Sequence, residues 1–594
     1  MRTFGFILLG LFSGIGLLAI AVFAGLIYMA SNLDGMRPPV SAVPDKILLT
    51  LDLDKSLVEG PGGPRLEGFN LRAATTLPDA VVAIRKAKDD PRVVAIKATL
   101  SNPSLGLAQS QEIRDVVAEF RAAGKPALLF SETMGEGEGS LPTYYLAAAF
   151  GDIWVQPSAT VGIAGIGTEG FFLKNFLARF GVKGSFVTRG EYKSAPEAFT
   201  NTGMSEANRE ETRALLGAWF KQMVAGIAAD RKISADAVRA VIDQGPQLAR
   251  EALDKKLVDH LGYRDEFDEA LKTQLPGAQE MNLDRYVSLP LPGAKAARKR
   301  VAVIQAAGEI DRRGEDNPFS GDQGIHADAM AKTVRRAADD SKIDAILLRI
   351  DSPGGSYVAS DTIWREIVRA KGKGKPVIVS MGNTAASGGY FIAMPADRIF
   401  ASPATVTGSI GVFTGKMVVG DALDKLDIKR ERITFGDSAG MFSATTDFSP
   451  KDIERLNRML DATYADFTGK AAQGRNKTVA EIDKVARGRV WSGADAVGAG
   501  LVDELGGFLK ALDYTKTKIG LQPTDHVRLV KFADEKEGWW DIFKYFGAND
   551  APEDVESFFR AAAWFTKVVA PVMGQFESTQ SRGPQLLMAP VGVR

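Results

Sequence analysis

Short apolar runs rich in β-branched residues alternate, along most of the chain, with stretches in which apolar residues recur every three or four positions. The runs 47–53 (ILLTLDL), 93–100 (VVAIKATL) and 343–350 (IDAILLRI) have the length and composition of buried strands. The stretches 79–87 (DAVVAIRKA) and 361–371 (DTIWREIVRAK) have helical periodicity. Strands that alternate with helices predict an α/β fold built on parallel sheets.

The amino-terminal segment has a different pattern. Phe4–Ala30 carries no charged residue over 27 positions, which is enough to cross a bilayer with some tilt. A cleaved signal peptide has an apolar core of only about 7–15 residues, so the length favours a retained anchor over residues 1–31. Arg2 and the α-amine precede the segment, and Asp34 and Arg37 follow it, which favours an amino terminus in the cytoplasm and the remaining chain outside it.

The remainder of the chain contains two related halves. Four segments recur in the same order, at an offset that falls slowly from 250 to 244 residues. Conserved order and spacing indicate an internal duplication. The matching pairs are Lys88–Gly106 with Ala338–Ser356, Ala122–Phe130 with Gly372–Ser380, Ser158–Gly162 with Pro403–Thr407, and Ala252–Gly262 with Ala496–Gly506.

The duplication and the polar, proline-bearing stretches divide the chain into six parts. The last part contains aromatic clusters that fit either a membrane interface or subunit packing. The predicted parts are an anchor (1–31), a linker (32–45), a first repeat (46–275), a second linker (276–299), a second repeat (300–522) and a tail (523–594).

Composition excludes several kinds of chemistry. The 594 residues include 73 Lys and Arg and 73 Asp and Glu, so no basic nucleic-acid surface is expected. The absence of cysteine excludes disulfides, thiol nucleophiles and thiolate metal sites. The three histidines, His260, His326 and His526, are too widely spaced to form a ligand motif, so neither a metal nor another cofactor is expected.

The second repeat carries two glycine-rich motifs that fit acyl-transfer chemistry. Gly354 and Gly355, in DSPGGS, follow a predicted strand and could direct backbone N–H groups at a developing oxyanion. Ser409, in TVTGSIGVF, lies among small residues that leave its hydroxyl approachable. Each motif alone is also typical of a tight structural turn. The first repeat, however, lacks the glycine pair and has Ala164 or a neighbour opposite Ser409.

The first repeat keeps a lysine that the second repeat has lost. Lys193 aligns with Ala439, so each copy retains residues that the other lacks. This reciprocal loss predicts that Lys193 is the general base for Ser409, although a surface lysine and a turn serine are the ordinary alternatives. A free lysine has a pKa of about 10.4, so burial among apolar neighbours must lower that pKa to about 7.

Four segments together give the chain a resemblance to a known family: 351–356 (DSPGGS), 383–393 (NTAASGGYFIA), 404–413 (ATVTGSIGVF) and 189–199 (RGEYKSAPEAF). They resemble the long, tandem-repeat form of bacterial signal peptide peptidase A. The resemblance covers nearly the whole chain to about Gln522.

The resemblance implies two tandem α/β domains of the Clp protease and crotonase superfamily, each built from β-β-α units, after one transmembrane helix. It implies a serine endopeptidase with a Ser–Lys dyad, Ser409 and Lys193, and with oxyanion glycines Gly354 and Gly355. The expected substrates are signal peptides and unfolded protein. The expected assembly is a homotetramer in the bacterial inner membrane, anchored in lipid, with catalytic domains on the periplasmic side. A hydroxyl that orients the lysine is also expected, with Thr434 as the candidate.

Two other motifs and two other functions are alternatives to this interpretation. Ser387, in AASGG, resembles the position of a Clp-type nucleophile but has no histidine partner, which favours a packing role for its small-residue segment. The segment 165–170 (GIGTEG) formally fits a dinucleotide motif, but it aligns with the Ser409 loop. A crotonase-like acyl-CoA protein and an inactive peptide-binding scaffold are the alternative functions on this fold.

Overall fold

The computed structural model describes residues 43–55, 57–60, 75–135, 140–293, 296–312 and 324–533, together with the strand Gln585–Leu587. The predicted anchor, 1–31, lies outside these residues. Among the helices of the described portion, none is both long and apolar enough to cross a membrane.

Strands and helices alternate in both halves, as the apolar pattern predicts. The strands are β1 Ile47–Asp52, β2 Val93–Thr99, β3 Ala127–Ser131, β4 Asp152–Val155, β5 Thr160–Val161, β6 Lys183–Arg189, β7 Gln247–Leu248, β8 His260–Leu261, β9 Gln279–Asn282, β10 Arg300–Ala307, β11 Ile310–Asp311, β12 Ile325–His326, β13 Ala345–Ser352, β14 Gly354–Ser356, β15 Val377–Ala386, β16 Arg398–Ala401, β17 Val406–Gly408, β18 Val412–Val418, β19 Val490–Ser492, β20 Glu504–Leu505, β21 Arg528–Phe532 and β22 Gln585–Leu587. The helices are α1 Leu77–Asp89, α2 Leu107–Ala122, α3 Leu141–Ala147, α4 Lys174–Arg179, α5 Glu197–Thr200, α6 Glu206–Arg231, α7 Ala235–Asp243, α8 Ala249–Asp254, α9 Arg264–Gln274, α10 Leu283–Val287, α11 Ala327–Asp339, α12 Tyr357–Gly372, α13 Gly388–Ala393, α14 Gly420–Lys425, α15 Pro450–Arg475, α16 Val479–Val485, α17 Gly493–Gly498 and α18 Phe508–Lys518.

Each half is built around its own sheet, and most neighbouring strands in both sheets run parallel. The first sheet has the order β8-β4-β3-β2-β1-β9, and the second follows the order β19-β17-β15-β13-β10-β21, with β16 attached to β15 and β20 attached to β16. The central strands are apolar and buried on both faces, as in β13, because helices cover both faces of a parallel sheet. Two corresponding sheets agree with the predicted duplication.

A third sheet joins the two halves. Its order is β12-β11-β14-β22-β18-β6, so β6 of the first half lies beside β18 of the second. The two strands pair antiparallel over seven positions, from Val412 opposite Arg189 to Val418 opposite Lys183. This pairing places the segment that follows β6 against the second repeat and not within its own.

Two segments expected to be linker or tail contribute strands instead. Within the predicted linker 276–299, β9 pairs parallel with β1, and Tyr286 in α10 is fully buried. Beyond residue 522, β21 pairs parallel with β10. Both are edge strands that expose most of their polar side chains, which explains why their sequences resemble loops.

A buried ion cluster links the two halves. The Arg349 guanidinium on β13 donates two hydrogen bonds to the Glu59 carboxylate, at 2.9 and 2.7 Å. The same group lies 2.7 Å from Glu112 Oε1 on α2 of the first half. All three side chains are buried, so each charge depends on the others for compensation.

Replacing Arg349 with methionine is expected to destabilise the protein by about 3–5 kcal/mol, because two carboxylates stay buried without a counter-charge. Urea unfolding followed by tryptophan fluorescence measures the loss. A triple variant that also carries Glu59→Gln and Glu112→Gln removes the uncompensated charges and is expected to recover most of the stability. Equal stability of the single variant and the wild type would contradict this account of the cluster.

Candidate active site

Lys193 reaches the second half through a tight turn after β6. The Tyr192 N–H donates to Arg487 O at 3.0 Å, and the Lys193 N–H donates to Gly190 O at 3.1 Å. Gly190 has a φ of 97°, and a Cβ added there would lie 2.2 Å from the carbonyl carbon of Arg487. Gly488 is equally constrained, since a Cβ there would lie 2.5 Å from the backbone nitrogen of Lys193. Glycine is therefore required on both sides of this contact.

The Lys193 amine lies among three oxygen atoms of the second half. Its Nζ is 2.8 Å from Ser387 Oγ, 3.0 Å from Ser409 Oγ and 3.0 Å from the Ser409 carbonyl oxygen. The lysine side chain is only 4% exposed. Burial lowers the pKa of Lys193 to about 7, against a smaller opposing effect of the nearby Glu211 carboxylate. A substantial fraction of the amine is therefore neutral at physiological pH.

Ser387 lies between the end of β15 and the start of α13, in a strained conformation. Its φ of 55° and ψ of −113° fall outside the regions that residues with a Cβ normally adopt. Its N–H donates to Gly408 O at 2.8 Å, which helps to hold this conformation. The next residue, Gly388, lies against the glycine motif, because a Cβ there would be 3.1 Å from both Gly354 Cα and Gly355 N.

Ser409 lies on the other side of the amine, in the loop between β17 and β18. It also has a positive φ, 52°, and its N–H donates to Arg489 O at 2.7 Å. The preceding residue, Gly408, lies against Trp491 and Arg489. The surroundings of Ser409 are therefore formed by the segment that also supports the lysine turn.

Gly354 and Gly355 have positive φ values, 108° and 155°, which residues with a Cβ rarely adopt. A Cβ on Gly355 would lie 1.9 Å from Ile310 O of β11, so no larger residue fits there. The Gly354 N–H donates to Ser352 Oγ at 3.2 Å. The pair forms the wall of the site next to Ser387.

The hydrogen-bond donors and the lone pair of a neutral amine match the three oxygen atoms around Lys193 Nζ. Such an amine has two N–H donors and one lone pair, and the Ser409 carbonyl oxygen can only accept. One N–H therefore points to that carbonyl, which leaves one N–H and the lone pair for the two hydroxyls. One serine hydroxyl donates its proton to nitrogen while the other accepts from it. This is the arrangement that activates one serine and orients the base with the other.

A second buried titratable group lies behind the lysine turn. Glu211 on α6 accepts hydrogen bonds from Ser194 Oγ at 3.0 Å and from the Val490 N–H at 3.1 Å. Burial raises the pKa of Glu211 to about 7, and these hydrogen bonds and the Lys193 charge oppose the rise. The Glu211 carboxylate, whose charge raises the pKa of Lys193, is therefore held in place by the segment that carries β19.

The pH dependence of activity follows from these two groups. Only neutral Lys193 accepts a proton, so kcat/KM is expected to fall as pH drops through about 7, close to tenfold for each further pH unit. The Glu211 carboxylate raises the pKa of Lys193, so Glu211→Gln is expected to move this acid limb to lower pH. Peptide hydrolysis measured between pH 5 and 9 checks both. If the acid limb of Glu211→Gln stays in place or moves to higher pH, the result would contradict the coupling between Glu211 and Lys193.

The structure brings together most of the residues predicted from sequence and adds one. Lys193 and Ser409 are in hydrogen-bond contact, and Gly354 and Gly355 lie next to the same centre. Ser387, which the sequence analysis assigned to packing, contacts the amine directly. Thr434, the candidate for orienting the lysine, is exposed, whereas the two serines that contact the amine are buried. Within the described residues, no cluster of acidic and histidine side chains could hold a metal ion.

An α/β fold with a buried lysine amine between serine hydroxyls defines a centre typical of serine peptidases. The family model described as Peptidase family S49 matches residues 119–276 and 369–522, one match in each half. The chain belongs to this family and is a serine protease. The predicted family and activity are thereby confirmed.

Two similar proteins match most of the chain, and a third matches part of it. Protease 4 of Salmonella typhi is 36% identical, over 74% of this chain and 72% of that protein. The chloroplastic serine protease SPPA of Arabidopsis thaliana is 30% identical, over 80% of this chain and 70% of that protein. A putative signal peptide peptidase SppA of Enterococcus faecium is 32% identical, over 37% of this chain and 64% of that protein.

Proposed function

We propose that this serine protease is a membrane-anchored endopeptidase that uses a Ser–Lys centre to cleave signal peptides after their release. The observation that carries the proposal is the buried Lys193 amine within 3.0 Å of two serine hydroxyls. No histidine is needed to remove the serine proton, because the pKa of this lysine is lowered to about 7.

The two serines take different roles in this proposal. A nucleophile must lie within reach of the base and of the oxyanion donors at the same time. Ser387 meets both conditions, since it is 2.8 Å from Lys193 Nζ and its neighbour Gly388 lies against Gly354 and Gly355. Ser409 holds the lysine with two oxygens, and the residue before it lies against the segment that supports the lysine turn. We therefore assign attack to Ser387 and orientation of the base to Ser409.

The reaction is acyl transfer in two halves. As Ser387 Oγ bonds to the substrate carbonyl carbon, its proton moves to Lys193 Nζ, and backbone N–H groups of the glycine motif stabilise the new oxyanion. The carbon–nitrogen bond then breaks, and the lysine ammonium protonates the leaving amine. Water attacks the resulting ester and gives its proton to Lys193, which returns one to Ser387 as the acid is released.

Several observations support the proposed substrate class and location. One relative is described as a putative signal peptide peptidase. The uncharged segment Phe4–Ala30 would hold the enzyme at the membrane, where released signal peptides remain. In this proposal the catalytic halves lie on the periplasmic side of a bacterial inner membrane, as part of a homotetramer.

The test is cleavage of a synthetic signal peptide in detergent micelles by the full-length protein, followed by mass spectrometry. We expect internal cleavage of the apolar segment by the wild type and none by Ser387→Ala. A folded, soluble protein of similar length serves as the control substrate and is expected to stay intact. Failure to cleave the signal peptide, while an unfolded soluble polypeptide is degraded, would overturn the proposed substrate class.

A further inference from the structure

A strand from the far carboxyl-terminal end of the chain lies inside the third sheet. Gln585–Leu587 pairs antiparallel with β14, with Leu587 opposite Gly354, Leu586 opposite Gly355 and Gln585 opposite Ser356. On its other side, Gln585 pairs antiparallel with Phe413 of β18. The segment therefore uses both of its backbone edges.

This strand fills a slot in the sheet. Without it, the order β12-β11-β14-β22-β18-β6 would separate into a β12-β11-β14 part and a β18-β6 part. Adjacent strands lie about 4.8 Å apart, so the gap between β14 and β18 is about 10 Å, the width of one extended chain. The facing edges of β14 and β18 would then present unpaired N–H and C=O groups, which bind an extended peptide by strand addition.

The walls of the slot carry the candidate active site. Gly354 and Gly355 form one wall and lie against Gly388, the residue after Ser387. Phe413, in the other wall, is four residues after Ser409. A chain lying in the slot passes directly beside the proposed nucleophile and oxyanion donors.

We infer that the segment around Gln585–Leu587 is an intramolecular competitor that occupies the substrate groove of its own chain. This inference rests on the proposed function, because it identifies the slot as the place where substrate is cleaved. The chain supplies 51 residues between Ala533 and Gln585, which is more than enough length to reach the slot. A tethered ligand acts at an effective concentration of about 1 mM, so even a weakly binding segment competes with substrate.

The test compares the full chain with a chain that ends at Gly583, using an internally quenched peptide substrate. Removal of the competitor is expected to lower KM by about tenfold and to leave kcat unchanged. A synthetic peptide spanning residues 584–594, added to the shortened chain, is expected to inhibit competitively with respect to substrate. An unchanged KM in the shortened chain, or non-competitive inhibition by the peptide, would overturn the inference.

A matched pair of variants separates strand pairing from the effect of truncation. Successive residues of a strand direct their N–H groups to opposite edges, so Leu586→Pro with Leu587→Pro removes one donor toward each wall. This variant is expected to lower KM as truncation does. Thr579→Pro with Gln580→Pro, outside the paired strand, is expected to retain the wild-type KM; equal KM values in the two proline variants would overturn the inference.

Three further outcomes are distinguishable. Full activity in both Ser387→Ala and Ser409→Ala would remove the proposed function itself. An inactive Ser387→Ala variant combined with an unchanged KM after truncation would overturn only the competitor. A KM that rises with protein concentration in the full chain, but not in the shortened one, would assign the occupant to a second copy and contradict the intramolecular form.

Discussion

Replacing Ser387 with alanine is expected to reduce kcat by about 10⁵-fold to 10⁶-fold, as removal of a nucleophile does in other serine peptidases. The Ser387 hydroxyl lies 2.8 Å from the Lys193 amine, and the next residue, Gly388, lies against the glycine motif. Hydrolysis of an internally quenched peptide by purified full-length protein measures the loss. Alanine removes a single oxygen from a buried position, and a melting curve close to that of the wild type shows that the fold is kept.

Ser409→Ala is the matched control for this experiment. In our assignment the Ser409 hydroxyl orients the base, and the Ser409 backbone carbonyl still accepts from Lys193 in the variant. Loss of one positioning contact is expected to reduce kcat by about 10-fold to 100-fold. A far larger loss in Ser409→Ala than in Ser387→Ala would exchange the two roles and restore Ser409, the nucleophile predicted from sequence.

Replacing Lys193 with methionine is expected to reduce kcat by about 10³-fold to 10⁴-fold, because no other general base lies at this position. Methionine has nearly the shape of the lysine stem and suits a side chain that is buried. The pH dependence of the remaining activity provides a second readout. The acid limb near pH 7 belongs to Lys193 and is expected to disappear in the variant.

Lys193→Arg is the companion to this variant. Arginine keeps the positive charge but does not lose its proton in proteins, so the variant is expected to be as inactive as Lys193→Met. Activity above one tenth of the wild-type value in either variant, measured on protein that melts normally, would contradict the assignment of Lys193 as the base.

The contact between Lys193 and the second half could be predicted from sequence, because each repeat keeps a group that the other has lost. Ser387 follows the same rule. At the offset of 245 residues that matches Ser158 with Pro403, its counterpart in the first repeat is Pro142. From the sequence, the absence of a histidine partner argued against catalysis by Ser387, although a buried lysine satisfies the same chemical requirement. Reciprocal loss, applied at every position, would have found this residue.

Sequence patterns predicted the buried strands of the fold, but they predicted neither the strand pairing between the halves nor the edge strands. The apolar runs predicted the strands of the two parallel sheets, because burial on both faces leaves a clear signal. The pairing of β6 with β18 joins segments more than 200 residues apart, and no local pattern encodes such a partner. Edge strands such as β9 and β21 expose polar side chains and resemble linkers, so they were assigned to the linker and the tail.

The most direct test of a centre shared between the two halves is covalent labelling by a fluorophosphonate, followed by proteolysis and mass spectrometry of the labelled peptide. We predict one labelled residue, Ser387, with labelling abolished in Lys193→Met and retained in Ser409→Ala. Labelling of Ser409 instead of Ser387, or undiminished labelling of Ser387 without Lys193, would contradict the account.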